Sequence, residues 1–225
     1  MGKEREERSD VEPGIRAVIL DYGEVLCQRP KVEALHSMAS ELGMDPAGFI
    51  ALYGTSRDPY DQGVISAEEY WADFARRIGV EVDGRRIERL RVLDTEMWSV
   101  TSPEMTEWVG RLKEAGVRTA LLSNMQHDMG AYARKNFDWL GAFDHQFLSC
   151  EVGLIKPDRA IFEHCIERMG VRAQETLFVD DREVNVRAAT SVGIRAIQFR
   201  SVGQLREELQ EMRFTVLPRE ASGLV

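Results

Sequence analysis

Five short apolar runs recur along this chain, with helix-like segments between them. The runs are AVIL (17–20), TALLS (119–123), HQFLS (145–149), TLFV (176–179) and RAIQF (195–199). The third is weaker and alternates. The others are continuous, which suits strands buried on both faces, as parallel strands are. The connecting segments carry helix punctuation. SPEMTEWVGRLKEAG offers Ser102 as a cap, Pro103 in the first turn and a stop at Gly116. KPDRAIFEHCIERMG runs from Pro157 to Gly170, with Ile161, Cys165 and Ile166 on one side. DREVNVRAATSVG is short and ends at Gly193. Strand and helix in this alternation predict an α/β core, a Rossmann-like doubly wound parallel sheet.

One stretch breaks the rhythm. From about residue 28 to 96 no strand run appears. KVEALHSMASELG places Val32, Leu35, Met38 and Leu42 at helical spacing. DPAGFIALYG begins with Asp45 and Pro46 in cap and first-turn positions. SAEEYWADFARRIG opens with Ser66 and Glu69 as a capping box, and Trp71, Phe74 and Ile78 form its inner face. The prediction is a core of 15–27 and 97–213, a helical insert over 28–96, and tails at 1–14 and 214–225. REELQEMRFTVLPRE reads as a last helix and part of the second tail.

Bulk properties narrow the function. At 225 residues and 44 % apolar content the chain can bury an ordinary globular core. A net charge of −9 argues against general affinity for nucleic acid or an anionic membrane, because phosphate-rich surfaces need clustered Lys and Arg. It leaves room for a small anionic substrate. The segment MGKEREERSD is too charged for a signal peptide, and Glu6 stands where N-myristoylation wants Ser or Thr. No run reaches the roughly 18 apolar residues of a membrane helix. Cys27, Cys150 and Cys165 are widely spaced and make neither a zinc nor a disulfide pattern, so a cytoplasmic location is the expectation. The four histidines are scattered without ligand spacing.

Four polar signals stand beside these runs: Asp21, the pair Ser123-Asn124, Lys156, and the pair Asp180-Asp181. In an open parallel sheet the carboxyl ends of the strands form one rim, where ligands bind. Taken singly, each signal has a plain explanation. An Asp after a strand turns the chain or caps a helix, Ser-Asn is loop chemistry, a lone Lys is solvated, and Asp-Asp favours a helix dipole. Together they make a chemical set. Three neighbouring carboxylates repel one another, and a hard divalent cation removes that cost. A phosphate group could then approach, with Lys156 as a point charge, Ser123 and Asn124 as hydrogen-bonding groups, and Asp21 as a nucleophile toward phosphorus.

The four segments ILDYGEVL, LLSNM, GLIKPD and LFVDDREVNVRAA, in this order, resemble the motifs of the haloacid dehalogenase superfamily over about residues 15–200. The insert, notably YDQGVISAEEYW, is similar to the small helical cap of its phosphatase-like subgroup. That subgroup includes glucose-1-phosphatase-like enzymes and the N-terminal domain of soluble epoxide hydrolases. The resemblance implies an Mg²⁺-dependent phosphatase of a small phosphorylated metabolite, acting through an aspartyl phosphate as a monomer or homodimer. It implies that Asp21 is nucleophile and metal ligand. The Gly23 main-chain carbonyl and Asp181 are further ligands, and Asp180 either ligates or supports a ligand. Ser123, Asn124 and Lys156 hold the transferred phosphate, and Asn185 supports the acidic pair.

One departure stands out. Most phosphatases of the superfamily carry Asp two residues after the nucleophile, and here that position is Gly23. General acid catalysis is worth about 10²- to 10⁴-fold, so its absence points to an activated phosphate, modest rates or a stand-in acid. Glu24 is the candidate stand-in. From the insert, Tyr60, Asp61 and Tyr70 either face the site or pack the insert. Three other readings stay open: a metal-free dehalogenase in which Asp21 attacks carbon, a phosphomutase or other phosphotransferase, and a catalytically weak binding module. The acidic pair counts against the dehalogenase, and the retained nucleophile and lysine count against the binding module.

Overall fold

In the computed structural model, which describes residues 14–30 and 32–219, five strands pair in parallel: β1 (Ala17–Leu20), β2 (Arg118–Ser123), β3 (His145–Leu148), β4 (Thr176–Asp180) and β5 (Arg195–Gln198). Their order in the sheet is β3-β2-β1-β4-β5. Leu20 lies level with Leu121 on one side and Val179 on the other. The chain therefore moves outward from β1 through β2 and β3, then returns to place β4 on the opposite flank. That reversal opens a crevice at the carboxyl ends of the strands, beside β1.

Helices cover both faces. Between β1 and β2 lie α1 (Val32–Glu41), α2 (Pro46–Tyr53), α3 (Asp58–Asp61), α4 (Ala67–Arg77), α5 (Gly84–Met97) and α6 (Pro103–Glu114). Next come α7 (His127–Asn136), α8 (Ser149–Val152), α9 (Arg159–Met169), α10 (Glu183–Ser191) and α11 (Val202–Glu211). Alternate residues of the strands divide between two cores. Val18, Leu20, Leu121 and Val179 pack with Trp108 and Leu112 of α6 and Leu205 and Leu209 of α11. Ala17, Ile19, Leu122 and Phe178 pack with Ile161, Phe162 and Cys165 of α9. This double burial is why β1 and most of β2 and β4 read as unbroken apolar runs.

Helices α1 to α5 enclose a third cluster of their own, built on Met38, Phe49, Trp71, Phe74 and Leu90. Ser66 and Glu69 form the capping box, with Ser66 N donating to Glu69 Oε2 at 2.7 Å. An antiparallel bridge between Cys27 and Thr101 ties together the two strands of chain that enter and leave this layer.

Local expectations need correction in four places. Val32 is 51 % exposed, so the buried stripe of α1 starts later, at Leu35 and Met38. Helix α9 begins at Arg159 rather than at Pro157, because Asp158, at ψ 133°, is still outside the helical conformation and stands as its N-cap. Helix α5 is an element that the sequence pattern does not mark; its cap is Asp83, which accepts from Arg86 N. Residues 214–219, read as part of a tail, pack against α6: Phe214 is buried, and Trp108 Nε1 and Arg111 Nη1 donate to the carbonyls of Val216 and Leu217 at 2.7 and 2.6 Å. The rest of the two proposed tails lies outside the described residues, apart from Gly14. No helix among the described residues is long and apolar enough to cross a membrane.

Trp71 is fully buried and its indole N–H has no acceptor among the described residues. Trp71→Ala is expected to cost about 3–5 kcal/mol by urea unfolding. Trp71→Phe should cost much less, because it also removes an unpaired buried donor. Equal costs would show that this layer is not packed around the indole.

Candidate active site

Asp21 is the first residue after β1 and Asp180 the last of β4, and these strands are neighbours, so the two carboxylates meet at the rim. Lys156 reaches between them from the loop before α9. Its ammonium lies 2.7 Å from Asp21 Oδ1 and 2.7 Å from Asp180 Oδ2, and it also donates to the Leu122 carbonyl at 3.0 Å. All three side chains are almost fully removed from water. The lysine is held by its own main chain. Asn124 Oδ1 accepts from Lys156 N at 2.9 Å and Asn124 Nδ2 donates to Lys156 O at 2.8 Å. The Asn124 amide thus positions Lys156 instead of projecting freely toward a phosphate. Ser123, the last residue of β2, is buried and lines the same cavity.

The two members of the acidic pair differ. Both oxygens of Asp180 accept from Asn185 Nδ2 at 3.0 Å; Oδ1 also accepts from Arg182 N at 2.8 Å, and Oδ2 receives the lysine. Asp180 is therefore well supplied with donors and fully buried. Asp181 is only partly buried and lines the cavity. Asp21, Asp180 and Asp181 each offer an oxygen within 4.8 Å of the others. Burial pushes the Asp21 carboxyl up to about 8, with Asp180 and Asp181 adding to the rise and Lys156 opposing it. Burial likewise pushes Asp181 up to about 6, helped by Asp180 and Glu24. Burial works against the charge on Lys156, but Asp180 and Asp21 outweigh it and hold its pKa above the usual lysine value. One ammonium among three carboxylates leaves the site short of positive charge. The donor set is hard oxygen throughout, which fits Mg²⁺.

Gly23 has φ −61° and ψ 128°, a conformation open to any residue. A Cβ there would sit 3.8 Å from the Trp98 ring, an ordinary contact. Neither strain nor crowding requires the glycine. Glu24 has φ 50° and pairs with Arg29 at 2.9 Å on the cavity wall. That ion pair holds its carboxylate beside an exposed arginine.

The helical layer stands over the rim, and the two together line a half-open cavity of about 330 Å³. Gln62 Nε2 donates to Gly153 O at 2.7 Å, and Arg91 grips Asp128 through two bonds of 2.8 Å. Gly63, at φ +75°, lies so close to α8 that a Cβ would stand 2.6 Å from the Cys150 carbonyl. Of the three insert residues considered from sequence, Asp61 lines the cavity, whereas Tyr60 and Tyr70 are buried in the layer's own core and stack on each other at 4.6 Å. Sequence reasoning missed Tyr53, Arg57, Trp98 and Gln126, which also line the cavity. Asp94 is the buried hub behind them, bound by Arg57 Nη2 at 2.9 Å, by Gln126 Nε2 at 3.2 Å and by the Tyr53 hydroxyl. Its signal was a charged residue on the apolar face of α5, one turn after Leu90.

A family model for haloacid dehalogenase-like hydrolases matches residues 15–193. Among curated proteins, acyl-CoA dehydrogenase family member 10 of Mus musculus is 29 % identical over 81 % of this chain and 18 % of its own length. Sesquiterpene phosphatase astK of Aspergillus oryzae is 35 % identical over 40 % of this chain and 46 % of its own. (S)-2-haloacid dehalogenase 1 of a Pseudomonas strain is 26 % identical over 52 % of each. The chain thus spans from about a fifth to about half of the length of these relatives. A Bacteroides thetaiotaomicron HAD family enzyme, crystallised with magnesium and inorganic phosphate, shares the fold at TM-score 0.70 and 22 % identity, over 83 % of this chain and 95 % of its own.

The raised carboxyls set a pH dependence. A carboxyl whose folded pKa exceeds its unfolded one keeps its proton in the native state where the unfolded chain has lost it, so stability falls as pH rises. For Asp21 the window runs from about 4 to about 8. In EDTA, Asp21→Asn should therefore gain on the native chain in melting temperature between pH 5 and pH 8, by more than about 3 °C. A constant difference across that range would contradict the account.

Proposed function

The chain belongs to the haloacid dehalogenase-like hydrolases, and from that premise we propose that it is an Mg²⁺-dependent phosphatase of a small phosphorylated metabolite. The observation that carries this reading is the trio Asp21, Asp180 and Asp181, with oxygens within 4.8 Å of one another and a single ammonium among them. Burial and the two neighbouring carboxylates raise the Asp21 carboxyl well above its usual range, which works against the ionised form that a nucleophile needs. A metal-free attack on carbon would need Asp21 ionised beside two further carboxylates and a carboxylate substrate. A divalent cation supports ionisation of Asp21 and attraction of a phosphate dianion at once. The phosphatase relative and the magnesium- and phosphate-bound neighbour agree with this choice.

In this reading the cation is held by Asp21, Asp181 and the Gly23 carbonyl, and it supplies charge neutralisation at the phosphate oxygens. Asp180, already saturated by Asn185, Arg182 N and Lys156, holds the lysine in place more than it serves the cation. Lys156 orients Asp21 and offers its remaining charge to the phosphate, and Ser123 contributes from the rim of β2. Asp21 attacks phosphorus in line, the P–O bond to the alcohol breaks, and an aspartyl phosphate forms. Water then attacks phosphorus and releases inorganic phosphate and free Asp21. With Gly23 in place of an acid, the departing alkoxide gains no proton from that position, which favours esters or anhydrides with good leaving groups.

Wild-type protein should release phosphate from phenyl phosphate in Mg²⁺, lose the activity in EDTA, and lose at least about 10³-fold as Asp21→Asn. Chloride release from 2-chloropropionate that survives EDTA would replace this reading with the dehalogenase. Gly23→Asp, which the backbone and the Trp98 contact accommodate, should raise turnover on poor leaving groups by about 10-fold or more and on p-nitrophenyl phosphate by less. An equal effect on both would show that leaving-group protonation is not what the glycine alters.

A further inference from the structure

Five carboxylates line the cavity: Asp21, Glu24, Asp58, Asp61 and Asp181. Asp21 and Asp181 face the place of the cation. Glu24 is paired with Arg29, and Asp58 is exposed to water. No histidine or cysteine stands among the lining residues, and the hydroxyls of Tyr22 and Tyr53 already donate to the Trp98 carbonyl and to Asp94. Asp61 is what remains. It is the last residue of α3, in the helical layer, but its main chain is tied to the core. The Ser149 hydroxyl donates to the Asp61 carbonyl and accepts from Met125 N at 2.9 Å, two residues past Ser123. On the other side Gln62 donates to the Gly153 carbonyl. The Asp61 side chain is 14 % exposed, with Oδ1 3.2 Å from Arg57 Nε. Oδ2 accepts no hydrogen bond among the described residues and keeps contact with solvent. Burial pushes this carboxyl up to about 6; Arg57 opposes the rise, and Asp94 and Asp58 add to it. The Cys150 thiol of α8 and the phenols of Tyr60 and Tyr70 complete its electrostatic surroundings.

We propose that Asp61 is the general acid and base of this hydrolase, supplied by the helical layer in place of the acid missing at Gly23. This rests on the phosphatase reading above and adds a catalytic group to it. In-line transfer sets the leaving oxygen opposite the attacking one. With Asp21 on the core rim, the leaving oxygen points away from β1, toward the layer that carries Asp61. Protonated Asp61 gives its proton to that oxygen as the P–O bond breaks, so the alcohol departs neutral. The Asp61 carboxylate then takes one proton from the water that attacks the aspartyl phosphate. The other hydrogen of that water stays on the released phosphate, and Asp61 ends protonated, as it began. Arg57 favours the ionised form of Asp61, so only part of the population carries the proton near neutral pH. That leaves room for an added acid at position 23 to raise the rate further.

The test compares two esters in Mg²⁺: n-butyl phosphate, whose alkoxide needs a proton to leave, and p-nitrophenyl phosphate, whose phenolate departs without one. Each is measured on the wild type, Asp61→Asn, Gly23→Asp and the double variant. The ratio of kcat/KM for the butyl ester over the nitrophenyl ester should fall by about 10²-fold or more in Asp61→Asn. Gly23→Asp should restore most of that ratio. It should also raise the butyl rate by a larger factor in the Asp61→Asn background than in the wild type, because one proton needs one donor and the two substitutions are then not additive. A merely structural lesion around Arg57 would lower both esters together and leave the ratio alone, and that result overturns the proposal. So does an equal gain from Gly23→Asp in the two backgrounds. The two levels separate in the wild type. If it hydrolyses neither ester, the phosphatase reading fails and this role falls with it; activity on both with a ratio unmoved in Asp61→Asn removes the role of Asp61 alone.

Discussion

The site depends on one buried ammonium shared by two buried carboxylates. Lys156 stands 2.7 Å from both Asp21 and Asp180, at a place where β1 and β4 bring two acidic strand ends side by side. Burying charges is costly unless they are paired and hydrogen-bonded. Here the pairing is nearly complete for Asp180, which also takes Asn185 and the Arg182 N–H, and incomplete for Asp21 and Asp181. That imbalance drives the functional argument: the residues left short of positive charge are the ones facing the cavity.

The fold serves this arrangement at several levels. Adjacent strands fix the distance between Asp21 and Asp180. Asn124 at the end of β2 clamps the main chain of Lys156, so two loops that are 32 residues apart in sequence hold one side chain between them. The helical layer then closes above, gripping the rim through Arg91, Gln62 and the tight approach of Gly63 to Cys150. Cover over the rim lowers the effective dielectric and strengthens each charge interaction below it. The second polar cluster, around Asp94 and Arg57, belongs to that layer, and Arg57 is part of the cavity lining.

Much of the core was legible because buried parallel strands write continuous apolar runs, as AVIL and TLFV do, and because polar residues at their carboxyl ends have few structural reasons to be there. The capping box at Ser66 and Glu69 was legible for a local reason, since both partners lie within one turn. What was not legible depends on contacts across the fold. Val32 has the right spacing for a buried stripe but stays half exposed. Tyr60 and Tyr70 look like candidates for the site and instead stack inside the layer. Arg57 gave only the weak signal of an i, i+4 partner at Asp61, while its decisive partner Asp94 is 37 residues away. The engagement of Asn124 with Lys156 is likewise invisible until both loops are placed.

The central claim is that the three carboxylates and one lysine leave room for a single divalent cation bound through Asp21 and Asp181. Titration of the metal-free chain with Mn²⁺, followed by the electron paramagnetic resonance signal of the free ion, tests it most directly. The account predicts one saturable ion per chain, displaced by Mg²⁺, with affinity at least about 10-fold weaker in Asp181→Asn, as loss of a ligating carboxylate entails. Absence of a saturable site, or an Asp181→Asn chain that binds Mn²⁺ as the wild type does, would contradict it.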